Sequence, residues 1–175
     1  MRDSFFLPVF GVCLIVLLGA CNNLPSASAA KTDYNRNYDF SNVHKVAIQQ
    51  IARDTVETMM VSDVQIIDIN EALTAELQRR GFQVVTGNSY ADIFLAWRFV
   101  PDERATVSTF DTATQKMTEG MLYVDMIDPV ILQTVWRATF RARLPDQSDS
   151  EAAAEYSRDA VAAILAQFPP SPIER

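Results

Sequence analysis

Apolar and polar residues follow three rhythms along this chain. From Phe5 to Leu18 the sequence is apolar apart from Pro8 and Gly11. From Asn22 to Lys31, "NNLPSASAAK", it is small and polar. Beyond that point apolar residues recur either every second position, as in strands, or every third to fourth, as in helices. Ile66, Ile69, Leu73 and Leu77 predict a helix within Ser62 to Arg80. Arg79 and Arg80 fill its last turn and Gly81 follows as a cap. Ser62, Asp63 and Asp68 can each start it. A second helix begins near Ser148 and Glu151, which have capping-box spacing. Ala153, Tyr156, Ala160, Ile164 and Phe168 form its apolar stripe, and "FPPSPIER" stops it.

The two-residue rhythm is clearest in "ADIFLAWRFV". Ile93, Leu95, Trp97 and Phe99 share one face, and Phe94, Ala96, Arg98 and Val100 share the other. "GMLYVDMID" and "QTVWRATFRARL" form the strongest pair. Trp136, Ala138, Phe140, Ala142 and Leu144 alternate with Val135, Arg137, Thr139, Arg141 and Arg143. Leu122, Val124 and Met126 alternate with Tyr123, Asp125 and Ile127. Antiparallel pairing that keeps the apolar faces together places Asp125 on the same face as Arg137. Asp128-Pro129 opens the turn between them. Further strands are expected within Val43 to Ile51, at Phe82 to Thr86 and at Ala105 to Phe110, with a polar loop over Asp111 to Glu119.

The order is strand, helix, several strands, helix, which is an α+β pattern. The expected fold is a single twisted, mainly antiparallel sheet with two helices packed on one face. The Trp97 and Trp136 faces are the ones expected beneath the helices.

Composition changes the picture at the N-terminus. The chain has 175 residues, 49% of them hydrophobic, and a formal charge of -7. That is enough for one domain with a sizeable core plus a leader. No basic block stands out, which argues against nucleic acid as a partner. The Phe5 to Leu18 run falls short of the roughly 20 residues that a membrane span needs, and it fits a secretory leader. Arg2 supplies its positive end. Leu18-Gly19-Ala20-Cys21 follows at once and resembles the lipobox of bacterial lipoproteins: an aliphatic residue, two small ones, then cysteine.

Cleavage between Ala20 and Cys21 would make Cys21 the acylated first residue. At about 0.8 kcal/mol per buried CH₂, two or more acyl chains hold a protein on a membrane. Cys13 leaves with the leader, so the mature chain keeps no disulfide. Among known lipoproteins, Asp after the acylated Cys marks inner-membrane retention. Asn22 stands here, so the expected address is the periplasmic face of the outer membrane. The expected organisation is a leader over 1–20, a lipidated tether over 21–31, a domain over 32–170 and a tail over 171–175. Ten tether residues reach up to about 35 Å when stretched.

Several segments resemble the DUF4136 family of bacterial lipoproteins, a domain of unknown function. They are "DYNRNYDFSN", "NEALTAELQRRGFQ", "ADIFLAWRF", "GMLYVDMIDPVILQTVWRATF" and "AVAAILAQFPP", which together span nearly the whole mature chain. The closest is the hairpin with Asp125, Asp128, Val135, Trp136 and Arg137. The chain departs from the family pattern at Val46-Ala47-Ile48, where Tyr-Ala-Trp is frequent, and at Ala138, where Gly is. The resemblance implies a compact envelope domain and no particular reaction.

Candidate chemistry is sparse. His44 is the only histidine and reads as a surface or strand-end residue. Neither a Cys/His metal pattern nor a phosphate-cradling glycine loop is present, so no cofactor is expected. Asp125 and Asp128 are the one carboxylate pair of note. Three residues apart on a regular strand, they point to opposite faces. Asp125 then pairs with Arg137 as a structural ion pair, and Asp128 serves the turn.

Arg98, Arg137, Arg141 and Arg143 could line one sheet face, either as a patch for an acidic partner or headgroup, or as a plain solvated face. Met59-Met60-Val61 tucks toward the core or docks a partner. The leading expectation is a non-enzymatic, membrane-anchored domain that binds a protein or an envelope component. A small-molecule or lipid carrier with an enclosed cavity comes second, and a carboxylate hydrolase last.

Overall fold

The computed structural model describes residues 30–49, 51, 61–87, 90–102, 117–145 and 150–170. Six strands form one sheet: β1 (Lys31–Tyr34), β2 (Lys45–Ile48), β3 (Gln83–Val84), β4 (Ile93–Pro101), β5 (Met117–Ile127) and β6 (Thr134–Pro145). Two α-helices accompany it, α1 (Asp63–Arg79) and α2 (Ser150–Leu165). The strand order is β1-β6-β5-β4-β2-β3. The β4-β5-β6 meander and the β1-β6 pair are antiparallel, while β2 runs parallel to β3 and β4. The sheet is therefore mixed, because the chain crosses over through α1 between β2 and β3.

Local chemistry fixes the ends of α1. Ser62 starts it with a capping box. The Gln65 N–H donates to the Ser62 hydroxyl at 3.2 Å, and the Ser62 N–H donates to Gln65 Oε1 at 2.9 Å. At the far end Gly81 takes φ +89°, a left-handed geometry that favours glycine. Ile69, Leu73 and Leu77 of the predicted stripe are buried.

Both helices lie on the predicted face. Ile93, Leu95, Trp97 and Phe99 of β4 are buried there, with Leu122, Val124 and Met126 of β5. Trp136, Ala138, Phe140 and Ala142 of β6 complete the layer. The Trp97 indole N–H donates to Asn70 Oδ1 on α1 at 2.9 Å, tying β4 to that helix. Past the end of α2, Phe168 plugs one end of the core. Its ring centroid lies 5.2 Å from Trp136, 5.4 Å from Phe82 and 6.0 Å from Phe40. Such aromatic contacts add to the burial of apolar area. A Cβ at Gly120 would collide with the Val100 carbonyl and the Phe99 ring, so β5 approaches β4 where only glycine fits.

Some expectations need correction. Strand β1 was not predicted: four residues carry too little alternation, and β6 supplies the register. The fold thus takes in Ala30, which is buried, and Lys31, both expected in the tether. The polar loop expected to reach Glu119 stops earlier, because Met117 to Glu119 pair with Pro145 to Arg143 and lengthen β5. Phe82 to Thr86 contributes only two strand residues. An irregular register beside Met126 and Ile127 leaves Val135 buried next to Trp136, where strict alternation had set it with Arg137. The Ala105 to Phe110 strand, Ser148 and Met59-Met60 lie outside the described residues; Val61 is buried.

Candidate functional site

The sheet face turned away from the helices holds the candidate site. The register places Asp125 between Ala96 on β4 and Arg137 on β6. Asp125 is buried, at 6% exposure, although no helix among the described residues covers its face. Two guanidiniums close over it. Arg137 Nε donates to Oδ1, and Arg137 Nη2 donates to Oδ2 at 2.9 Å. Arg98 Nη1 donates to Oδ2 at 3.2 Å. The hydrogen bonds that Arg137 donates to Asp125 hold its pKa above the ordinary value, against the effect of burial, with Tyr123 and Asp33 adding to the shift.

Arg98 is held from a second side as well. Its guanidinium carbon stands 4.4 Å from the centre of the Tyr123 ring, a cation–π contact. Both arginine side chains stay near half exposed, at 41% and 44%. Two cations thus share one buried anion, and Asp33 of β1 lies across from Arg137. The N–H groups not used on Asp125 are available to a ligand. Planar guanidiniums fixed in this way suit carboxylate or phosphate oxygens.

The other predicted residues divide. Arg141 is on β6 with its side chain 60% exposed, 3.9 Å from Asp102, a loose pair. It stands across from Met121 and does not join the Asp125 cluster. The side chain of Arg143 lies outside the described residues, as do Ala20 and Cys21. His44 is exposed just before β2, as expected of a strand-end residue. Its backbone N–H and that of Lys45 both donate to Asp92 Oδ2, at 2.9 and 2.8 Å. Those bonds, His44's first, hold the Asp92 carboxyl below its ordinary pKa.

Asp128 caps the β5–β6 turn by accepting the N–H groups of Val130 and Ile131, at 2.7 and 3.0 Å. Asp125 and Asp128 therefore do separate work, one in an ion pair and one in a turn. The turn also sets Leu132 at φ 54° and exposes Val130, Ile131 and Leu132. Sequence reading did not single out this apolar tip; the run of three large aliphatics straight after Asp-Pro was the available signal.

The space between helices and sheet is filled by side chains, among them Trp136, Phe99, Phe168 and Leu73. A hollow of about 330 Å³ lies open beside the β1–β6 pair, lined by Asp33, Tyr34, Asn35, Thr134, Trp136 and Arg137 among others.

Among curated proteins no sequence matches. Solved structures share the fold at low identity. A DUF4136 family protein from Bacteroides thetaiotaomicron superposes with a TM-score of 0.54 at 12% identity, over 80% of this chain and 95% of that one. A PDZ domain protein from Parabacteroides distasonis gives 0.53 at 16%, over 82% of this chain and 36% of that one. A PelC dodecamer from Paraburkholderia phytofirmans gives 0.50 at 15%, over 78% and 95%. The family model described as "Domain of unknown function (DUF4136)" matches residues 30–170, from just before the first strand to past the end of the second helix. The chain belongs to the DUF4136 family.

Proposed function

We propose that this protein is a membrane-anchored envelope domain, held through acyl chains on Cys21, that binds an anionic protein or envelope component on its uncovered sheet face. The supporting observation is the pair Arg98 and Arg137 converging on buried Asp125 with donors left over. The lipobox supports the anchor. Among the described residues no helix is long and apolar enough to cross a membrane. Asn22 after Cys21 supports the periplasmic face of the outer membrane. Both oxygens of Asp125 are engaged by arginines and Asp128 serves its turn, which supports a binding role over carboxylate catalysis.

In-cell photocrosslinking tests this. A crosslinking amino acid at Thr139, between Arg137 and Arg141 on β6, is expected to capture a defined envelope component. The same group at Glu71, exposed on α1, is expected not to. Equal capture from both positions would contradict a binding face.

A further inference from the structure

Strand β6 outruns its neighbour. Pairing with β1 ends at Lys31 opposite Thr139, while β6 continues to Pro145. The Asp102 N–H donates to the Glu119 carbonyl, which sets the alternation along the meander. Glu119, Met121, Tyr123 and Asp125 bond toward β4, so the residues between them bond toward β6. Their partners on β6 are Phe140, Ala142 and Leu144, and hence Arg141 and Arg143 direct their backbone N–H and C=O groups away from β5. For Arg137 and Thr139, β1 occupies that side. For Arg141 and Arg143 no strand among the described residues does. Pro145 stands at the next such position, where a missing N–H costs the β5 ladder nothing.

Among the described residues this edge is open, and it is selective in charge. A second copy pairing through the same edge would bring arginine against arginine, which disfavours self-association. Strand β1 shows what the edge accepts: Asp33 lies across from Arg137 and helps to hold its charge. Residues 22–29 contain no carboxylate, so the chain's own preceding sequence cannot repeat that pairing at Arg141. The loose 3.9 Å contact with Asp102 leaves the Arg141 side chain 60% exposed.

We propose that the β6 edge at Arg141 to Arg143 takes an extended acidic segment of a partner protein as an added strand, in line with β1 and antiparallel to β6, which rests on the binding role proposed above. Main-chain hydrogen bonds would supply affinity, and a carboxylate opposite Arg141 would supply selectivity.

The test titrates the full-length chain, in detergent, with a labelled peptide of about ten residues alternating aspartate and valine. The control peptide alternates lysine and valine. The aspartate peptide is expected to bind saturably, and the control is not. The variant Arg141→Glu/Arg143→Glu is expected to weaken binding about tenfold or more, as is raising salt toward roughly 0.3 M. Arg141→Pro removes an edge N–H without a β5 bond and is expected to weaken binding as well. Binding that is indifferent to these changes, or shared by the lysine peptide, overturns the added strand. An aspartate peptide that fails to bind while Thr139 still captures a component overturns the strand alone. Failure of both overturns the binding role beneath it.

Discussion

Asp125 on β5 and Arg137 on β6 face each other across an antiparallel pair, and the guanidinium forks onto both oxygens of the carboxylate. Asp125 is buried on a face that the helices leave open, so Arg137 and Arg98 act as its cover. Truncating Asp125 removes the charge that holds two cations together. Truncating Arg137 leaves a buried carboxylate short of partners. We expect Asp125→Ala to cost about 1–3 kcal/mol, discounted from a fully buried pair because both arginines are partly solvated. A double-mutant cycle with Arg137→Ala, read by urea denaturation, should give coupling of about 1 kcal/mol or more. Additive losses would show that the fork contributes nothing.

Trp136 is the largest fully buried side chain, and it packs edge-on against Phe168. Trp136→Ala is expected to destabilise by about 3–5 kcal/mol. Its indole Nε1 is buried without a hydrogen-bond partner, so Trp136→Phe loses volume but no hydrogen bond and should cost clearly less. Thermal or chemical denaturation of the two variants separates these cases. Equal losses would mean that the indole nitrogen is satisfied after all.

Glu76 near the end of α1 accepts from Arg79 at 2.6 and 2.7 Å and from Arg80 at 2.7 Å. The Arg79 bonds lead in holding its carboxyl below the ordinary value near 4.5, with burial opposing and Arg80 adding to the fall. A lowered carboxylate gives stability that is full above the unfolded value and is lost as pH falls through the folded one. Stability should therefore drop as pH falls below about 4.5, and Glu76→Gln should flatten that part of the profile. Arg80 also donates to the Phe168 carbonyl at 3.1 Å, so the same cluster ties α1 to the segment after α2. An unchanged acid profile in the Gln variant would remove Glu76 from the account.

Cys21 is the predicted attachment point. Cys21→Ser is expected to abolish palmitate labelling in cells and to leave an uncleaved or soluble form. Labelling that persists in the variant would sink the lipobox assignment.

The meander was legible because its strands are long and strictly alternating. Leu95, Trp97, Met126, Trp136 and Phe140 announce one buried face, and once the faces are matched Asp125 and Arg137 share the other; the register then makes them neighbours. The stripe of α1 was legible for the same reason, but its start was not. Three residues could cap it, and only the reciprocal bonds between Ser62 and Gln65 decide. Short elements escaped. Lys31 to Tyr34 has no pattern of its own, and the strand expected at Phe82 to Thr86 keeps only the two residues that β2 pairs with. The part played by Arg98 was half visible: its face was predicted, but its meeting with both Asp125 and Tyr123 depends on the β4–β5 register, which no local signal sets.

The central claim is that the uncovered sheet face binds an anionic component, and capture from Thr139 in intact cells tests it most directly when paired with Arg98→Ala/Arg141→Ala. That variant removes two of the exposed cations and leaves the Asp125–Arg137 fork in place, so the fold should persist. The account predicts that crosslinked yield falls about tenfold or more while the amount of anchored protein stays the same. Undiminished yield of the same captured component from the variant would contradict it.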